Sequence, residues 1–95
     1  MKIKELFPKQ SKVNLEDCKI LEISDVRTFQ KFGKPGRVAN AVIQDDSGKI
    51  TLTLWNEQID EVKEGDTVKI TDGFVNEWQG LLQVTTGRNG KLEKM

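Results

Sequence analysis

The most constraining feature of this chain is a strict alternation in the seven residues that end at Trp55. The apolar residues Ile50, Leu52 and Leu54 alternate there with polar residues and with Trp55 itself. A period of two predicts a β-strand with one buried face and one face in water. Trp55 takes the water side together with Thr53, so this strand offers a flat aromatic surface to a ligand.

Length and charge limit the class of protein. A length of 95 residues is enough for one modest hydrophobic core. The 15 basic and 15 acidic side chains cancel in net charge, which argues against a polycation that coats nucleic acid. We expect one domain over residues 1–95, with an N-terminal arm or short helix over residues 1–12. No apolar run approaches the roughly 20 residues of a membrane helix, and no leader resembles a signal peptide. We therefore expect a soluble cytoplasmic protein, nucleoid-associated if prokaryotic, that has neither a membrane nor a small-molecule substrate as partner.

The cysteine and histidine counts exclude several kinds of chemistry. Cys18 is the single cysteine and there is no histidine, so an internal disulfide, a Cys/His zinc cluster and a histidine general base are all excluded. Cys18 lies in an apolar pattern with Leu15 and Ile20 and is predicted to be a buried packing thiol. We expect no enzyme, no catalytic residues, no metal and no cofactor.

Apolar segments separated by turn residues predict five strands. The first changes phase near Leu21, which indicates a bulge or bend, and a short helix capped by Asn56 is predicted over residues 57–63. A loop over residues 28–37 contains Phe29 and Phe32, of which one is expected to close the core and both could contact a ligand. The predicted strands are residues 13–26, 37–44, 49–55, 66–71 and 81–86.

Five strands with one helix between the third and fourth are typical of a small barrel. This is the element order of the OB-fold, whose second and third strands and whose loops after the first and fourth strands form a binding face. The predicted fold is therefore all-β, a five-stranded OB-fold barrel with a short helix between strands 3 and 4. It brings Trp55, the basic first loop, Phe74 and Trp78 to one face.

The run from Ala41 to Trp55, followed by Glu64 to Ile70, resembles archaeal single-stranded-DNA-binding proteins and replication protein A modules. It is also similar to the single-OB subunits of the sensor of single-stranded DNA complex, and the likeness covers about residues 13–92. The resemblance implies that Trp55, Phe74 and Trp78 stack on bases. The chain lacks a further family aromatic near Thr85 and the tail of single-OB relatives, which leaves open a complete minimal protein or one module of a tandem array.

Basic residues are expected to hold phosphates beside these aromatics. Any one of these basic residues taken alone is most often a solvated surface residue. Gln79 either donates or accepts a hydrogen bond at a base edge or closes its turn. Trp55 has a plainer alternative as a cover for the barrel edge, and Phe74 as an anchor for its loop. The expected nucleic-acid-binding residues are Trp55, Phe74, Trp78, Arg37, Lys34, Lys31, Arg27, Arg88, Thr53 and Gln79.

The function expected from these residues and from the resemblance is binding of single-stranded DNA with little sequence preference, in replication, repair or recombination. Two alternatives remain open. One is an RNA-binding OB domain. The other is a protein-interaction OB module of a larger replication complex, in which the exposed tryptophans contact other OB modules or replication proteins.

Overall fold

A computed structural model describes residues 1–86 and 90–95 of the chain. A 3-10 turn over Ile3–Glu5 comes first, and one short helix, α1 (Glu57–Glu61), interrupts the strands. The strands are β1 (Val13–Ile23), β2 (Arg27–Lys31), β3 (Lys34–Gln44), β4 (Lys49–Trp55), β5 (Thr67–Trp78), β6 (Leu81–Thr85) and β7 (Lys91–Lys94).

All strands belong to one sheet in the order β1-β3-β4-β6-β5-β7, and β5 also pairs with β1. The pairing therefore passes through five strands and returns to the first. β4 and β6 run parallel, whereas the other pairs are antiparallel. This connectivity surrounds a single apolar interior.

The expected count of five strands is wrong, because the described part of the chain has seven. The segment predicted as the first loop is instead a hairpin, in which β2 pairs with β3 from Arg27 opposite Val38 to Lys31 opposite Lys34. A further strand, β7, pairs with β5. The helix still follows the strand that ends in Trp55, but it lies between the fourth and fifth strands.

The predicted bend in the first strand is confirmed. The register of β1 against β3 shifts between Ile20 and Glu22, and its register against β5 shifts between Leu15 and Cys18. Such irregularities let one long strand turn and pair on both sides. β1 is thereby the strand that joins the two ends of the pairing circuit.

The core consists of aliphatic side chains and one thiol. Leu15, Ile20 and Leu52 are fully buried, as is Cys18, and burying each large aliphatic side chain contributes about 1.5–3 kcal/mol. Burial raises the pKa of the Cys18 thiol to about 11, so the thiol stays protonated at neutral pH. The prediction of a buried packing thiol is confirmed.

The short helix differs from its prediction. It ends at Glu61, and Asn56 has a positive φ of 51° and makes no side-chain capping bond. The Asn56 side-chain carbonyl instead accepts a bond from the backbone N–H of Arg37 at 3.0 Å. The capping prediction is wrong because this oxygen bonds across the sheet rather than along the helix. In the part of the chain that the structure describes, no helix has the length and apolarity needed to cross a membrane.

Candidate nucleic-acid interface

None of the six aromatic side chains lies in the buried core. Aromatic side chains bury more area than any others and normally dominate cores. Here Phe32 is 91% exposed, Trp78 61% and Trp55 39%, and Phe29 and Phe74 are half-buried. The expectation that Phe29 or Phe32 closes the core is therefore wrong. An arrangement that leaves every aromatic ring accessible needs a reason other than stability.

Two of the aromatic rings named for stacking, together with Phe29, line one groove of about 520 Å³, which we call the first groove. Five strands, β2 to β6, contribute to it. Its lining contains one arginine and no acidic residue, although the chain has 15 acidic side chains. The lining residues are Arg27, Thr28, Phe29, Val38, Asn40, Thr53, Trp55, Asn76, Trp78, Gln83 and Thr85.

Strand register explains why these residues meet. Asn40 on β3 is opposite Thr53 on β4, and the parallel pairing of β4 with β6 sets Thr53 beside Thr85. Residues paired across strands point to the same side of a sheet. The alternation that buries Leu52 and Leu54 therefore turns this polar row, with Trp55, outward into the groove.

Two hydrogen bonds and one ring contact hold Trp55 in place without burying it. Its indole Nε1 donates to the Thr85 hydroxyl at 2.9 Å, and its backbone N–H donates to the Gln58 side-chain oxygen at 3.0 Å. Its ring meets Phe29 edge to face, with centroids 5.9 Å apart and planes at 88°. The face of the indole is thus oriented in advance, which lowers the entropy lost when a flat ligand stacks on it.

Phe29 is a groove residue for which the sequence leaves two roles open, closing the core or contacting a ligand. It is opposite Gly36 in the hairpin, and a Cβ at Gly36 would stand 2.4 Å from the Phe29 Cζ atom. The ring therefore lies directly over the glycine and reaches Trp55. The alternation of Phe29 with Thr28 and Gln30 is a strand signal, but the glycine partner is recognisable only once the hairpin register is known.

The second tryptophan also lies at the groove, near the end of β5. Trp78 is opposite Leu81, and the turn between them contains Gln79 at a φ of 51°. Gln79 is exposed and is not among the residues that line the groove. Phe74 shares the outward parity of Trp78 and is opposite Thr85, yet it too is absent from the lining.

The basic residues divide into two groups. Arg27 lines the groove, and Lys31 and Lys34 face each other at the end of its hairpin, where the Lys31 amine lies 5.7 Å from the centre of the Phe32 ring.

Arg37 points elsewhere, because its guanidinium donates to both carboxylate oxygens of Asp60, at 2.7 and 3.2 Å. Arg88 lies outside the described residues.

The Arg37–Asp60 pair has matching effects on both groups. The hydrogen bond and the opposite charge raise the pKa of Arg37 and lower the pKa of Asp60. Exposed pairs of this kind contribute little to stability. Their consequence here is positional, since the pair holds Arg37 against α1 and away from the groove. Within the described residues, no three His, Cys, Asp or Glu side chains form a group that could hold a metal ion.

Comparison with known proteins decides the family. A model of the family described as single-stranded DNA binding protein Ssb-like, OB fold, matches residues 6–94. The chain belongs to this family. The family is one of binding proteins, so the expectation that the chain is not an enzyme is confirmed. The OB-fold prediction is confirmed at the level of the family, with the strand count corrected as above.

Two curated relatives have names that describe DNA binding or replication. The chain is 30% identical over 91 residues to the single-stranded DNA binding protein Ssb of Saccharolobus solfataricus, covering 96% of this chain and 61% of that protein. It is 44% identical over 58 residues to replication factor A of Methanothermobacter thermautotrophicus, which covers 56% of this chain and 7% of that protein. The chain thus spans less than two thirds of either relative.

A solved structure has the same fold over the whole chain. The replication factor A related protein of Methanobacterium thermoautotrophicum superposes with a TM-score of 0.81 at 25% identity, covering 100% of this chain and 89% of that one. The resemblance to archaeal single-stranded-DNA-binding and replication protein A modules is confirmed by these relatives.

Proposed function

We propose that the first groove binds single-stranded DNA with little sequence preference. The observation that carries this proposal is the placement of aromatic rings: none is in the core, and Phe29, Trp55 and Trp78 line one groove without an acidic residue. Base stacking on an aromatic ring contributes about 1–3 kcal/mol per base and tolerates every base. Two or three such contacts supply much of the roughly 8 kcal/mol of a micromolar complex.

The polar lining suits the remainder of a nucleotide. Hydroxyl and amide side chains such as those of Thr53, Asn40 and Asn76 bond phosphate oxygens and sugars as readily as base edges. Arg27 lines the groove and would meet a phosphate there, and Lys31 and Lys34 would extend the positive charge along the hairpin. Phe74 would be a weaker stacking platform, because it does not line the groove. Arg37 could contact a phosphate only after its ion pair with Asp60 breaks. Gln79 and Arg88 are included in the proposal on the basis of the sequence alone.

The names of the relatives support a role in replication, and repair or recombination would use the same groove. Under this proposal the chain is one OB module over residues 1–95, and its location is cytoplasmic or at the nucleoid. Other OB modules and replication proteins are the partners that such a module would assemble with.

Fluorescence titration with oligo-dT tests the proposal, because both tryptophans line the groove and stacking quenches indole emission. We expect quenching in the wild type, and a fall in affinity of about tenfold in Trp55→Ala, corresponding to about 1.4 kcal/mol. Phe7→Ala is the matched control, since Phe7 is 57% exposed and does not line the groove. Circular dichroism checks that each variant folds.

The outcomes separate the candidate functions. Absence of quenching at hundred-micromolar oligonucleotide, or an equal loss in Phe7→Ala, contradicts DNA binding in this groove. Stronger competition by oligo-U than by oligo-dT would make RNA the ligand. Loss of assembly with other replication proteins, at unchanged oligonucleotide affinity in Trp55→Ala, would make the groove a protein contact.

A further inference from the structure

A second groove of about 520 Å³ takes part of its lining from the same face of β3, β4 and β6 as the first groove. It is bordered by the 3-10 turn, by the turn between β3 and β4, and by the start of β6. Its lining includes two lysines and again no acidic residue. The residues that the argument uses are Lys4, Val42, Lys49, Thr51 and Leu81.

The two grooves are neighbours along three strands. β3 gives Asn40 to the first groove and Val42 to the second. In the same way, β4 gives Thr53 to the first groove and Thr51 to the second. β6 gives Gln83 to the first and Leu81 to the second. Residues two apart on a strand share a face and are about 7 Å apart, so the floor of one groove continues into the floor of the other.

Pairing across the strands makes the same connection. Thr51 of the second groove is beside Gln83 of the first in the parallel pairing of β4 with β6. Leu81 of the second groove is opposite Trp78 of the first in the hairpin of β5 with β6. A ligand that leaves the first groove past Trp78 therefore meets Leu81 next.

The side chains at this place are available for contact. Leu81 is 65% exposed and is opposite Trp78, which is 61% exposed. Lys4 and Lys49 are exposed, and among the described residues neither forms a salt bridge. An exposed apolar side chain that shares a groove with two ammonium groups suits a base or sugar and its phosphates.

We propose that the second groove binds the continuation of the same single strand, with Leu81 against a base or sugar and Lys4 and Lys49 at phosphates. This proposal rests on the function proposed for the first groove and extends it to a longer site. From Trp55 to Lys49 the strand β4 covers about 20 Å. Short oligonucleotides fill only the first groove, whereas longer ones reach both.

The experiment compares oligo-dT of about 5 and about 12 nucleotides, both within the range of roughly 4 to 16 for one OB-fold. The variants are Leu81→Ala and Lys49→Glu, with Lys63→Glu as the matched control because Lys63 is an exposed lysine outside both grooves. For the long oligonucleotide we expect the dissociation constant to rise about five- to tenfold in both variants. The short oligonucleotide and the control should change by less than about twofold.

Each result decides something different. An equal loss at both lengths, or a loss no larger than that of Lys63→Glu, overturns the second groove as part of the DNA path while leaving the first groove in place. Failure of the wild type to bind either oligonucleotide, or full binding by Trp55→Ala, overturns the proposed function itself. Unchanged circular dichroism in Leu81→Ala and Lys49→Glu ties any loss to the removed contact.

Discussion

At the scale of single residues, the first groove depends on a ring that is held without being buried. Trp55 stays 39% exposed while its indole N–H is bonded to Thr85 and its ring meets that of Phe29 nearly at right angles. Phe29 in turn owes its position to the missing side chain of Gly36. One glycine therefore determines how two aromatic rings meet.

Gly36→Ala should disturb this pair. The added Cβ would stand 2.4 Å from Phe29 Cζ, so the ring must move, and we expect a loss of about 0.5–1.5 kcal/mol in the free energy of unfolding from the weakened contact with Trp55. Denaturant unfolding measures the loss, and a shift of tryptophan emission reports the moved ring. In a Phe29→Ala background the same change should cost nearly nothing, as a double-mutant cycle would show.

Gly48→Ala is the matched control for that substitution. Its Cβ would meet nothing closer than the Ile3 Cγ2 atom at 3.9 Å, which is ordinary contact. If Gly36→Ala costs no more than Gly48→Ala, Phe29 does not rest on Gly36.

At the scale of elements, the hairpin of β2 and β3 carries the basic residues to one side of the groove. Its two-residue turn consists of Phe32 and Gly33, with φ of 53° and 74°. Turns with two positive φ values match the twist of a hairpin and favour Asn-Gly. Phenylalanine is a poor residue for such a position, and here its ring is almost fully exposed.

Phe32→Asn should therefore stabilise the protein. We expect the free energy of unfolding of Phe32→Asn to be about 0.5–1 kcal/mol higher than that of Phe32→Ala, because asparagine tolerates a positive φ and alanine does not. Both variants lose the contact of Lys31 with the ring, so their difference isolates the backbone. Thermal unfolding measures it, and equal melting temperatures would show that the turn is not strained.

At the scale of the whole molecule, a chain with no net charge keeps its acidic residues out of both grooves. The acids gather elsewhere, and Glu16, Asp17, Asp45 and Asp46 line a separate depression. Binding in the grooves therefore meets local attraction without a large overall field. Affinity should depend on stacking more than on salt.

Salt dependence of oligo-dT binding tests that balance. If Arg27, Lys31 and Lys34 each meet one phosphate of an oligo-dT of about 5 nucleotides, the logarithm of the binding constant should fall with the logarithm of salt concentration with a slope of about −2. Arg27→Ala should reduce the slope by about 0.7, and Lys63→Ala should leave it unchanged. An unchanged slope in Arg27→Ala would remove that residue from the phosphate contacts.

Acid stability should depend on Asp45. Partial burial raises the pKa of Asp45, but hydrogen bonds from Ser47, Ile3 and Gly48 outweigh it and lower the pKa from 3.8 to about 2. Because the folded pKa is the lower one, the stabilisation is complete above about pH 4 and is lost as pH falls through 2. We expect Asp45 to contribute about 1 kcal/mol to the free energy of unfolding above about pH 4, less than the full pKa shift implies because the side chain is partly exposed.

Urea unfolding between pH 5 and pH 2 measures this effect. Asp45→Asn removes the titration and should be less stable than the wild type at pH 5, with the two converging toward pH 2. Curves that stay parallel over the whole range would assign the acid sensitivity to other carboxylates.

Local patterns in the sequence foretell much of the fold and part of the site. Alternation alone orients Ile50 inward and Trp55 outward, since side-chain direction in a strand follows from chain geometry. The phase change in β1 foretells the bend for the same reason. The segment around Phe29 misleads because its turn residues are those of both a loop and a tight hairpin.

Taken alone, the sequence determined which faces of the strands are wet, that Cys18 is buried, and that the chain is an Ssb-like OB-fold. Only the tertiary structure decided that Phe29 rather than Phe74 lines the first groove, that Arg37 pairs with Asp60, and that β3, β4 and β6 each line both grooves. The reason is physical: burial pattern is local to each strand, whereas the register of β2 on β3 and the parallel pairing of β4 with β6 join residues far apart in the chain.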